Sequence, residues 1–112
     1  MILRPSLSIA LLSLWMEPAM ADDTRALALE VSEKADLVVV TLQANSPRAQ
    51  TVKYTLEVSG KSTSRHHGKT SLMAGSPTVL STIRTANDPD WCARLTVTEQ
   101  GREPYEVTRG AC

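Results

Sequence analysis

The chain has 112 residues, 12 basic and 12 acidic side chains, two cysteines and no phenylalanine. That length holds one domain, and the balanced charge argues against a dedicated nucleic-acid binder, which usually shows a basic excess. At 42% hydrophobic and 21% charged, the composition is globular rather than disordered or coiled-coil.

The first 21 residues read as a secretion signal. Arg4 supplies the positive start, Leu7 to Met16 an apolar run of about ten residues, and Ala19-Met20-Ala21 a small-x-small cleavage site. The apolar run is too short to span a membrane, and no cysteine follows the cut to carry a lipid. Cleavage after Ala21 is expected to leave residues 22–112 as one exported domain with no membrane segment. A domain this small gains from a covalent staple, and export places it where disulfides persist. Cys92 and Cys112 are therefore expected to form one structural bridge, worth about 3 kcal/mol in the chain-entropy account. The two lie too far apart in sequence to form a C-x-x-C redox unit.

From residue 26 onward apolar residues recur with period two, the signature of strands. Leu27, Leu29 and Val31 alternate, so Thr24 to Glu33 is read as strand, although its composition also suits a helix. Asp36 to Ala44 (DLVVVTLQA) predicts a central strand, with Val38, Val40 and Leu42 on one face. Asn45-Ser46-Pro47-Arg48 is a turn. Thr51 to Ser59 alternates most cleanly, with Val52, Tyr54, Leu56 and Val58 inward and Lys53, Thr55 and Glu57 outward. Lys61 to Thr70 is polar and reads as a solvated hairpin or strand end. Gly75-Ser76-Pro77 turns the chain into Thr78 to Thr85, where parity does not decide the buried face. Asn87 to Asp90 is another turn. Trp91 to Thr98 and Glu103 to Arg109 flank the turn Glu99-Gln100-Gly101-Arg102 as a terminal hairpin. Short strands at this spacing predict an all-β fold, an immunoglobulin-like β-sandwich of about seven strands.

Motifs for catalysis are missing. There is no G-x-S-x-G elbow, no glycine-rich phosphate loop and no paired carboxylates that spacing would bring together, so no enzyme activity, cofactor or catalytic residue is expected. His66-His67 is the single histidine cluster. Neighbouring strand residues point to opposite faces, so the two cannot share one metal from regular β geometry, and no metal site is expected. Charge is the uneven feature. Arg48, Lys53, Lys61, Arg65, Lys69 and Arg84 share the stretch from Pro47 to Arg84 with one acid, Glu57. Such a basic middle can steer encounters with acidic partners, or simply solubilise the surface and guard strand edges.

The run Tyr54 to Gly60 (YTLEVSG), the polar hairpin through Lys69, and Ser71 to Ser81 (SLMAGSPTVLS) resemble the curli-associated chaperones of the CsgC/CsgH type, the CsgH branch in particular. The signal segment and the final hairpin with Trp91, Ala93, Leu95 and Val97 agree, and the likeness runs from about Leu27 to Arg109. It implies a periplasmic immunoglobulin-like domain that keeps a curli-type amyloid subunit from nucleating fibres before export; a monomer is expected separately, because the strand pattern leaves no long apolar face over. The CsgC branch carries a C-x-C pair; here Cys92-Ala93-Arg94 lacks the second cysteine, which removes a redox reading. The family's electrostatically guided inhibition implies a basic client-binding face, for which Lys53, Lys61, Arg65 and Lys69 are the candidates. Two other readings are a structural or adhesive module of a surface assembly and a thiol-disulfide partner.

Overall fold

The computed structural model describes residues 25–112. The expected signal segment and its cleavage site lie outside them. Among the described residues seven strands follow one another without a helix: β1 (Leu27–Glu33), β2 (Leu37–Ala44), β3 (Gln50–Ser59), β4 (Thr63–Leu72), β5 (Thr78–Ala86), β6 (Cys92–Thr98) and β7 (Tyr105–Gly110). They form two antiparallel sheets, one ordered β1-β2-β5 and the other β4-β3-β6-β7. This is the two-layer solution for chains whose strands each have one apolar face.

The alternation read from the sequence is the alternation of burial. In β2, Val38, Val40 and Leu42 are sealed from solvent, while their neighbours are half-buried. Val52, Leu56 and Val58 of β3 meet Ala93, Leu95 and Val97 of β6 in the same layer, and Leu27, Leu29 and Ile83 close the core from the other sheet. Residues 27–33 are strand throughout, which resolves the helix-or-strand ambiguity. Tyr54 departs from its neighbours in being only half-buried: it sits opposite Gly68 of the edge strand β4, where a Cβ would come within 3.0 Å of the phenol oxygen. Gly68 is the gap that lets this ring lie over the sheet.

Two local outcomes were hidden from parity. In β5 the ladder slips beside Leu42 and Gln43, so that Leu42 pairs with Ser81 and Gln43 with Val79, and Leu80 is the extra residue of a β-bulge. The bulge inverts the alternation: Ile83 is buried and Leu80 packs on the core, but Val79 is turned out with 57% exposure. Residues 63–72, read as a hairpin or strand end, are instead a complete ten-residue strand. Its polar sequence hides it because it is an edge strand with little to bury. A three-residue connection, Gly60-Lys61-Ser62, pins its register from Ser59↔Thr63 to Gln50↔Leu72. In the constant-type immunoglobulin arrangement the fourth strand joins the sheet of the first two. Here it joins β3.

The C-terminus is clasped to the start of β6. Cys92 and Cys112 are disulfide-bonded with Cα atoms 5.0 Å apart, within the usual range. Ala111 N–H donates to the Trp91 carbonyl at 2.8 Å. Gly110 has a φ of 85°, and a Cβ there would run into the Trp91 carbonyl at 2.5 Å, so only glycine fits.

Candidate functional site: a basic sheet face and the polar tie beside it

Register places the outward residues of the four-stranded sheet in rows. Lys69, Lys53 and Thr98 form one row across β4, β3 and β6. His67, Thr55, Thr96 and Glu106 form the next. Arg65, Glu57, Arg94 and Thr108 form the third. The structure thus brings Lys53, Arg65 and Lys69 onto one face, and adds Arg94, which the sequence reading did not select. Arg94 has outward parity in β6, between Ala93 and Leu95, so the signal was present. Lys61 is not on this face; it lies in the β3–β4 turn.

The cations on the face are not equivalent. Arg65 pairs with Glu57 at 3.0 Å, and Arg94 with Glu106 at 3.6 Å. Both pairs are largely exposed, so each contributes little stability, but each cancels its own field. Lys53 and Lys69 directly oppose one another and, among the described residues, form no ion pair. Like charges at directly opposed positions repel. Hydroxyls border them, Thr98 beside Lys53 and Thr51, whose Oγ1 lies 3.3 Å from Ser71 Oγ, while the acid lining the same hollow, Glu99, is buried and turned to the Ala26 N–H and the Tyr105 hydroxyl. The net positive end of the face is therefore the Lys53–Lys69 end, shaped to attract carboxylates.

The two histidines diverge. His67 lies on the outward face opposite Thr55, while His66 turns the other way, its Nδ1 2.7 Å from Ser81 Oγ on β5. Among the described residues no group of three His, Cys, Asp or Glu side chains could hold a metal ion.

Next to the lysine end, a buried polar network ties the two sheets together. Glu99, 4% exposed, accepts the Ala26 N–H at 2.8 Å and the Tyr105 hydroxyl through the same Oε2. The Tyr105 oxygen in turn accepts the Leu27 N–H at 3.4 Å. Gln50 Nε2 donates to Ser46 Oγ at 2.9 Å and to Glu99 Oε1 at 3.4 Å, and Gln50 Oε1 accepts the Gln100 N–H at 3.3 Å. The outer side of the Tyr105 ring is capped by the Arg25 guanidinium, 4.4 Å from its centroid. The sequence reading left Glu99 among the loop acids. Continuing the inward parity of Ala93, Leu95 and Val97 by one step would have placed it inside.

Burial, and then the hydrogen bond to Glu99, push the Tyr105 phenol well above its ordinary value of 10.0. A raised folded-state pKa means that the folded protein holds its proton more tightly than the unfolded chain. The resulting stability is complete below about pH 10 and is lost as pH rises toward the folded-state value. Stability of the native protein should therefore fall from about pH 10 upward, and Tyr105→Phe should flatten that slope while lowering stability at neutral pH by about 1–2 kcal/mol. Urea melts of both proteins across that range provide the check; parallel pH slopes would show that Tyr105 is not the group responsible.

The architecture is that of a small immunoglobulin-like sandwich with a three-stranded and a four-stranded layer, CsgC/CsgH-like in fold. The E. coli curli protein CsgC superposes with a TM-score of 0.54 at 15% identity, covering 73% of this chain and 94% of CsgC. The solution structure of R. palustris CsgH gives 0.53 at 18% identity, covering 76% of this chain and 90% of CsgH. No protein-family model and no curated relative matches the sequence.

Proposed function

We propose that the protein is a periplasmic chaperone that delays fibre formation by a curli-type amyloid subunit through transient, charge-guided contacts, acting after cleavage of residues 1–21. The observation that carries this reading is the unneutralised Lys53–Lys69 pair on an exposed, hydroxyl-bordered sheet face, set on a fold shared with a curli protein and with CsgH. Of the four candidate client contacts, Lys53 and Lys69 carry the attraction, Lys61 extends the field from the turn, and Arg65 is largely offset by its pair with Glu57.

The physics suits the task. Fibre nuclei form when identical segments stack as in-register strands. A weak, fast contact that holds acidic segments apart reduces the encounters that build a nucleus. Attraction between exposed charges is screened within about 8–10 Å at ordinary ionic strength. Catalysis plays no part in this reading, and Cys92–Cys112 serves as a structural bridge.

The test is a thioflavin-type growth curve of a curli-type subunit with residues 22–112 added well below one equivalent. A lengthened lag is expected. The lengthening should shrink several-fold between about 0.05 M and 0.5 M salt, as exposed charge attraction is screened. Equal inhibition at both salt levels would remove the electrostatic mechanism. No effect on lag, with folding confirmed, would favour an adhesive or structural module instead.

A further inference from the structure

The sandwich has four sheet edges, formed by β1, β5, β4 and β7. Natural sheets guard such edges with charge, because unpaired backbone groups template further strand pairing. β1 carries Glu30 and Glu33, β4 carries Arg65 and Lys69 with two histidines, and β7 carries Glu106 and Arg109. β5 is different. Its nine residues, TVLSTIRTA, include one charge, Arg84, and are otherwise rich in strand-forming threonine, valine and isoleucine. The bulge at Leu80 turns Val79 outward, and the other exposed large hydrophobic among the described residues, Met73, lies just past β4 in the loop leading into β5.

We infer that β5 is a docking edge at which an extended, acidic, β-forming segment of the client adds as a further strand. This rests on the chaperone reading and specifies how the client is held. Main-chain hydrogen bonds along β5 would supply register, and Val79 and Met73 would cover apolar side chains of the added strand.

Charge selects the occupant. From Val58 to Asn87 the chain contains no acid, but it contains Lys61, Arg65, Lys69 and Arg84. That stretch is both edge strands on one side of the sandwich, joined across the gap by His66 and Ser81. Two copies of this chain meeting through β5 would bring like charges together. An acidic strand meets Arg84 on β5 itself and Lys69 on the neighbouring edge strand β4. The guarded β4 edge steers it, and the bare β5 edge receives it.

Amide hydrogen exchange on residues 22–112 tests the edge directly. The probe is a synthetic peptide alternating valine or threonine with glutamate, beside the same peptide N-methylated along its backbone. The unmethylated peptide should slow exchange of β5 amides on the order of tenfold, leaving β1 and β7 unchanged. The methylated peptide, equal in charge but unable to donate, should not. Protection by both, by neither, or at another edge overturns the inference, as does β5 protection that rises with protein concentration alone.

Two exposed-site variants connect the edge to the client. Val79→Asp puts an acid on β5, and Ser32→Asp puts the same charge on β1. Val79→Asp should weaken inhibition of subunit fibre growth about tenfold, with Ser32→Asp within about twofold of the unmodified chain. Equal inhibition by the two variants overturns edge docking while the chaperone reading stands. An unmodified chain that protects β5 with peptide yet leaves fibre growth unchanged sinks the chaperone reading and not the edge.

Discussion

Lys53→Glu should weaken inhibition of curli-type fibre growth on the order of tenfold while leaving the fold as stable as before, or slightly more so. The two expectations have opposite signs for one reason. Lys53 faces Lys69 across the β3–β4 ladder with no acid paired to either. Replacing one lysine by glutamate turns a repulsive cross-strand pair into an attractive one, worth a few tenths of a kcal/mol at an exposed site. The same change erases the net positive end of the face, since Arg65 and Arg94 are already matched by Glu57 and Glu106. Loss of inhibition cannot then be ascribed to unfolding. Lag-phase titration and a urea melt on the same preparation measure both quantities. Retained inhibition with normal stability would show that the lysine pair is not the contact.

Glu99→Ala should be the most damaging of the polar substitutions for stability, at about 3 kcal/mol. Its carboxylate is the acceptor for the Ala26 N–H and the Tyr105 hydroxyl, and it also receives Gln50. Truncation takes the acceptor from the Ala26 N–H and the Tyr105 hydroxyl, while Gln50 keeps Ser46, and opens a void between the start of β1 and the β6–β7 hairpin. Against the total of about 5–15 kcal/mol typical of a single domain, that is a large share. Glu106→Ala is the control, because Glu106 is exposed and its loss should cost no more than about 0.5 kcal/mol. Urea midpoints at pH 7 compare the two, and similar midpoints would show that the network is not the tie between sheets.

The layout of strands was legible because burial in a sandwich has period two. Val38, Val40 and Leu42 in β2, or Ala93, Leu95 and Val97 in β6, need only the two-residue repeat to be assigned to the core. The cysteines were legible for a similar reason: two thiols in a small domain expected to be exported leave few alternatives to one bridge. What the repeat could not reveal was anything that breaks it or ignores it. The bulge at Leu80 breaks it, so the orientation of Val79 depended on the ladder with β2. β4 ignores it, because an edge strand buries little and its polar residues look like loop.

By itself, then, the sequence determined the fold class, the core-facing residues and the presence of a basic middle, since each follows from local composition and alternation. The tertiary structure decided which charges share a face. Pairing of β4 with β3 rather than with β5 sets Lys69 opposite Lys53 and Arg65 opposite Glu57, and pairing of β6 with β3 brings in Arg94. It also decided that Glu99, Gln50, Ser46 and Tyr105 meet in one buried network, although Ser46 and Tyr105 are far apart along the chain. Alternation fixes the side of a strand on which a residue lies. Only the pairing of strands fixes what stands beside it, and the field of a charged face depends on its neighbours.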